Sequence, residues 1–120
     1  MKVAVTSQGE DLDTQVDPRF GRARNFVVVD TETGAFETHD NAQNLNASQG
    51  AGIQAARNVV EMGVNAVITG NVGPKAFAAL QAGNVQVHIG AGGSVRQALE
   101  DFKAGRLQSA KEANVEGRWV

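Results

Sequence analysis

Cysteine is absent from the 120-residue chain, which removes disulfides, a thiol nucleophile and thiolate ligation of zinc or an iron-sulfur cluster from its own repertoire. An excess of one charge is missing too, since eleven basic against thirteen acidic side chains leave a net charge of -2. No global positive field is available to draw in nucleic acid or an anionic membrane, so any anion site must be local. No apolar run approaches the ~18 residues needed to span a bilayer, and the opening MKVAVTSQGEDLD turns polar after a few residues. These absences predict a cytoplasmic protein without a membrane segment or a nucleic-acid partner, a monomer or weak dimer. A hydrophobic share of 42% over this length suits one core rather than two.

What is present is a run of short Val-rich segments followed by strand-helix alternation. KVAVT (residues 2–6) and NFVVVDT (25–31) read as buried central strands, and the alternating AFETH (35–39) as an edge strand. A polar loop, DNAQNLNASQ, leads into a helix over residues 50–63. Its stripes are Ile53, Ala56, Val60 and Ala55, Val59, Met62, and its stop is Gly63. VNAVITG (64–70) is a fourth strand, PKAFAALQAG a helix closed by Gly83, and VQVHIG (85–90) a fifth strand whose alternation suggests an edge. The last helix has Ser94 as N-cap, Gln97 to complete a capping box, an apolar stripe of Val95, Leu99 and Phe102, and Gly105 as its end. Residues 1–107 are predicted to form one domain. Residues 108–120 form a tail with weak periodicity that holds the one tryptophan, Trp119.

The two terminal strand-helix-strand steps require parallel pairing through right-handed crossovers, and the first three strands suit an antiparallel meander. The fold class predicted is α/β, a five-stranded mixed sheet in the order 3-2-1-4-5, with strand 2 antiparallel and three covering helices. The carboxyl ends of strands 1, 3, 4 and 5 then share one rim.

That rim holds an oddity. VITGNVGPKAF and VHIGAGGSVRQAL share a plan of strand, glycine, short turn, helix cap and then a basic residue two positions on: Lys75 after Gly73, Arg96 after Ser94. A cation in the first turn of a helix opposes the macrodipole at a cost of about 0.3–1 kcal/mol. Two such cations at equivalent places suggest an anion between them, approached by the backbone at Gly70, Asn71, Gly73, Gly92 and Gly93. The bland alternative extends both side chains into solvent. Between the first two strands lies a long loop, SQGEDLDTQVDPRFGRAR, acidic in its first half (Glu10, Asp11, Asp13, Asp17) and basic in its second (Arg19, Arg22, Arg24). Loops of this length in compact domains are usually functional. Phe20 would anchor it and Gly21 bend it, so that Arg19 and Arg22 project toward Lys75 and Arg96; the competing reading pairs the loop's two halves with each other. At Gly52, in the GAG that opens the first helix, close packing is the preferred reading. His39 and His88 lack partners at metal-box spacing; of the two, His88, which precedes the rim glycines, is the better candidate ligand, and surface residues are the preferred reading for both.

Taken together, RFGRA, GAGIQAA, TGNVGPKAF and GAGGSVRQAL resemble the small stand-alone members of the dinitrogenase iron-molybdenum cofactor biosynthesis family, over roughly residues 1–107. The resemblance implies a ribonuclease H-like fold and carriage of a preformed metal-sulfur cluster, iron-molybdenum cofactor or a related molybdenum or iron-sulfur species, held without covalent attachment. It also implies cofactor-biosynthesis proteins as partners. Cofactor-carrying members often have a histidine just before the Phe-Gly of the first loop, where this chain has Arg19, which speaks against direct metal ligation there. The function expected is therefore a non-enzymatic carrier whose binding residues are Arg19, Phe20, Gly21, Arg22, Gly70, Asn71, Gly73, Lys75, Gly92, Gly93, Ser94 and Arg96. The alternatives are a phosphate-ester or nucleotide-binding enzyme, for which no complete Walker or dinucleotide signature is present, and a regulatory interaction module using Trp119. A nuclease is disfavoured, since the first and fourth strands carry no carboxylate.

Overall fold

A computed structural model of the chain describes residues 1–45 and 50–115. Its strands are β1 (Lys2–Ser7), β2 (Asn25–Asp30), β3 (Phe36–Asp40), β4 (Ala66–Ile68), β5 (Gln86–Ile89) and β6 (Gln108–Ser109). Its helices are α1 (Ala42–Leu45), α2 (Ala51–Glu61), α3 (Pro74–Ala82) and α4 (Val95–Lys103). Trp119 lies outside the described residues.

The six strands form one mixed sheet in the order β3-β2-β1-β4-β5-β6. β1 pairs antiparallel with β2 and parallel with β4, and β4 pairs parallel with β5. The predicted order of the first five strands stands, but the sheet has six. β6 pairs antiparallel with β5, setting His88 opposite Ser109 and Ile89 opposite Gln108. β5 is consequently not an edge, and its alternation reflects burial of Val87 and Ile89 against the helices rather than exposure of a free border. A further difference is α1, a single helical turn where a polar loop was read.

Both faces of the sheet are covered, which explains the uninterrupted apolar run of β2. Ala4, Phe26, Val28, Val67 and Val87 face α2 and α3, whose Ala55, Ala56, Val59, Phe77 and Leu80 complete that core. Val3, Val5, Val27, Val29 and Ile68 face α4 and meet Val95, Ala98 and Leu99. Glycines set the helix ends as read: Gly63 and Gly105 adopt positive φ, 73° in each case, just past α2 and α4. The capping box of α4 is only half made. Ser94 Oγ accepts from the Gln97 amide at 3.1 Å, but the Gln97 side chain turns away to Asp101 at 3.0 Å.

Candidate functional site

The loop between β1 and β2 crosses from one face of the sheet to the other, and its sequence of charges becomes a division in space. Its first part lies at α4, where Leu12 and Val16 join the core beneath that helix. Its second part lies at α2 and α3, where Phe20 is fully buried and its ring centroid stands 5.6 Å from that of Phe26. The crossing point is pinned at Asp17: the Thr6 hydroxyl donates to the Asp17 carbonyl at 2.7 Å and accepts from the Thr69 hydroxyl at 2.9 Å.

At α4 the acidic half uses up the helix N-terminus. The Val95 amide donates to the Thr14 carbonyl at 2.9 Å and the Arg96 amide to the Leu12 carbonyl at 2.8 Å. The Gln97 amide is taken by Ser94. Val16 donates in turn to the Gly93 carbonyl at 2.9 Å. The Arg96 guanidinium is also engaged, with Nε 3.0 Å from Asp13 Oδ1; this hydrogen bond, then the Asp13 charge, raises its pKa further. Arg96 is tolerated in the first turn because a carboxylate stands over it. Of the residues read as ligand-binding, Arg96 pairs with Asp13 of the loop and the Ser94 hydroxyl caps its own helix. Gly93 (φ 71°) serves the turn's geometry, while a Cβ at Gly92 would meet nothing.

At α3 the same sequence plan is left open. Gly73 caps the helix without a side-chain hydrogen bond, Pro74 has no amide to offer, and the next amides, on Lys75 and Ala76, have no acceptor among the described residues. Lys75 is exposed with no ion pair among those residues. α2 begins beside it with the same lack: Gly50 caps it in the left-handed region (φ 79°) with no side-chain bond. Between the two helix starts runs Pro18-Arg19-Phe20-Gly21. A Cβ on Gly21 would lie 2.7 Å from Gly52 Cα, and one on Gly70 would lie 2.8 Å from Pro18 Cα. Gly21 and Gly70 therefore let backbones approach closely, a packing role beside the bend and the ligand approach read for them, and Gly52 packs against Ala76, as read. Arg19 bridges in parallel to Asn71, and Asn71 Nδ2 donates to the Pro18 carbonyl at 3.1 Å.

Of the cations expected to converge, Arg19, Arg22 and Lys75 belong to the α2 and α3 side, and Arg96 belongs to the other. Arg22 is half-buried and Arg19 exposed. The reading from sequence missed Asp17, a carboxylate only 4% exposed that accepts from the Arg19 amide at 3.0 Å and stands 3.7 Å from Arg19 Nε. An aspartate just before Pro-Arg was a legible sign of such a turn. It also missed Asn41, whose Nδ2 holds the carbonyls of Gly21 and Ala23 at 3.1 and 2.7 Å. His88 faces α4, not the rim: its ring stands edge-on to Phe102 with centroids 4.8 Å apart. Nε2 is buried without a hydrogen-bond partner, burial lowers its pKa, and no cluster of three metal-binding side chains occurs among the described residues. Two hollows, one lined by Lys2, Asp30 and Phe36 and one by His39, Asp40 and Glu61, lie along β3.

The family model described as dinitrogenase iron-molybdenum cofactor matches residues 1–105. The chain belongs to this family. Within reach of the dinitrogenase cofactor family match are solved structures of the same shape. The apo form of the orange protein from Desulfovibrio gigas is 46% identical, with a TM-score of 0.92 over 95% of this chain and 96% of that one. A Thermotoga protein given the NifB name and placed in the DUF35 family is 37% identical, with a TM-score of 0.83 over 97% and 98%. An uncharacterized protein of Methanocaldococcus jannaschii is 30% identical over 110 residues, 90% of each chain. No helix among the described residues is long and apolar enough to cross a membrane.

Proposed function

We propose that this protein is a non-enzymatic carrier of a preformed, anionic molybdenum- or iron-sulfur cluster. The cargo sits where α2 and α3 begin, against Arg19, Arg22 and Lys75. The observation that carries this reading is the contrast at the rim: α4 has its first amides and its cation satisfied by the loop, whereas α3 keeps, among the described residues, an N-terminus without a side-chain cap and a lysine without an ion pair, four residues beyond the Asn71 that bridges to Arg19. Open amides, the positive end of the dipole and nearby cations all favour negative charge. With no cysteine in the chain, the cargo must bring its own sulfide, and charge and hydrogen bonding are the means of holding it. Membership of a family named for the iron-molybdenum cofactor supports the class of cargo.

The sheet order with an antiparallel second strand fits a ribonuclease H-like layout, and a carrier of this kind works in the cytoplasm beside the proteins that build and receive the cofactor. A nucleotide-binding enzyme is the less favoured reading: the family is named for a metal cofactor, and of the two glycine turns that reading would use, the α4 turn has already given its helix amides to Leu12, Thr14 and Ser94.

Anaerobic incubation with tetrathiomolybdate followed by gel filtration tests the proposal. Colour is expected to travel with the wild-type protein and to be lost from an Arg19→Gln/Lys75→Gln variant. Colour that never co-elutes, or that co-elutes equally with the variant, overturns it.

A further inference from the structure

The chain beyond α4 returns to the proposed site. After β6, the Ala110 amide donates to the Val87 carbonyl at 2.8 Å, and Ala110 and Ala113 rest on the core beneath α2 and α3. The segment has passed around the β5 border from the α4 face to the other. It ends on the turn that leads into α3. The Asn114 amide donates to the Val72 carbonyl at 3.1 Å, and Asn114 Oδ1 accepts from the Val72 amide at 2.7 Å. One asparagine thereby satisfies both backbone groups of a fully buried residue, as a neighbouring strand would.

The other end of the same side chain has a direction that its surroundings dictate. Because Oδ1 faces an N–H, Nδ2 must point the other way, where it donates to Asn71 Oδ1 at 3.0 Å. Asn71 then presents its own Nδ2 to the Pro18 carbonyl at 3.1 Å. Both ends of this relay are backbone groups of fixed polarity, a donor at Val72 and an acceptor at Pro18, so neither amide can turn over without losing a bond. The relay joins three separate parts of the chain: the C-terminal segment, the turn before Lys75, and the loop residue before Arg19.

We propose that residues 108–114 are a detachable latch on the carrier site, with Asn114 the positioning residue that holds Arg19 in register with the start of α3. The latch is lightly held. β6 has two residues, both exposed, and the apolar side chains that seat the segment are alanines. Few buried contacts make it one of the elements that open at least cost. Docked, it fixes the distance between the loop's arginine and the open helix end; released, it frees the two to move apart, which gives the cargo a way out without unfolding the sheet. This inference rests on the carrier reading above.

Tetrathiomolybdate titrations, paired with amide NMR, test it on the full chain. Asn114→Ala and Asn71→Ala are each expected to weaken probe binding about tenfold. The double variant is expected to be no weaker than Asn71→Ala alone, because the effect of Asn114 passes through Asn71. Asn114→Asp keeps the acceptor for Val72 and loses the donor to Asn71, so its Val72 amide stays slow to exchange while binding weakens. Wild-type affinity in Asn114→Ala, or losses that add in the double variant, overturn the latch. If the wild-type protein takes up no probe, the carrier reading alone fails. The latch is then judged by the Arg19 amide resonance, which moves in Asn114→Ala if the relay positions the loop and stays in place if it does not.

Discussion

The starts of α3 and α4 descend from one sequence plan and have been put to opposite uses. Each follows a parallel strand, a glycine turn and a cap, and each has a cation in its first turn. At α4 the polar groups are answered from within the protein, by Leu12, Thr14, Asp13 and Ser94. At α3 the first amides and Lys75 have no such answer among the described residues, and the nearby Asp17 carboxylate is engaged by Arg19. A cation at a helix N-terminus is thus uninformative until its partner is known: Arg96 pairs with Asp13, while Lys75 has no ion pair among the described residues.

The comparison breaks first if the two halves of the loop are not anchored on different faces. Phe20→Ala should cost about 3–5 kcal/mol in urea unfolding, as for other buried aromatics, and should weaken probe binding as well. Leu12→Ala, truncating a partly buried side chain at α4, should cost less and spare binding. Equal effects on binding would show that the halves act together. Next in size is Gly21→Ala, for which overpacking against the Gly52 backbone should cost about 1–3 kcal/mol.

A sharper test reverses the charge of each cation. Lys75→Glu should stabilise the cargo-free protein by about 0.3–1 kcal/mol, since an anion then meets the open helix end, and should abolish probe binding. Arg96→Glu should lower stability, because it sets a carboxylate beside Asp13. The smallest effect expected is a pH dependence on the α4 side. Desolvation lowers the pKa of the half-buried His88, whose Nε2 has no hydrogen-bond partner among the described residues, below the ordinary 6.5. The unfolded chain therefore binds its proton first, and stability falls as the pH drops below about 6.5 until the folded-state pKa is passed. His88→Phe should flatten that part of a stability-against-pH curve.

Much of the fold was legible because its signals are local. Val-rich runs marked β1 and β2, and Gly63 and Gly105 marked helix ends by a conformation other residues avoid. β6 left no such trace, since two exposed residues have no period to read, and without it β5 looked like an edge. That the starts of α3 and α4 follow parallel strands and so share one rim was legible too, from the strand directions. Its partition was not: whether Arg96 faces a ligand or Asp13 depends on which side of the sheet the loop crosses at residue 17, and that is fixed by Val16 and Phe20 entering different cores. Asn114 was invisible for a similar reason. A lone asparagine in an unpatterned tail acquires meaning only when the tail is seen to reach Val72 and Asn71.

The central claim is tested most directly by titrating tetrathiomolybdate, under anaerobic conditions, into the wild-type protein and into Lys75→Gln and Arg96→Gln separately. The predicted result is a loss of affinity on the order of tenfold in the Lys75 variant, from one charge-assisted contact, with Arg96→Gln close to wild type. Equal losses in the two variants, or a loss confined to Arg96→Gln, would contradict the division of the rim described above.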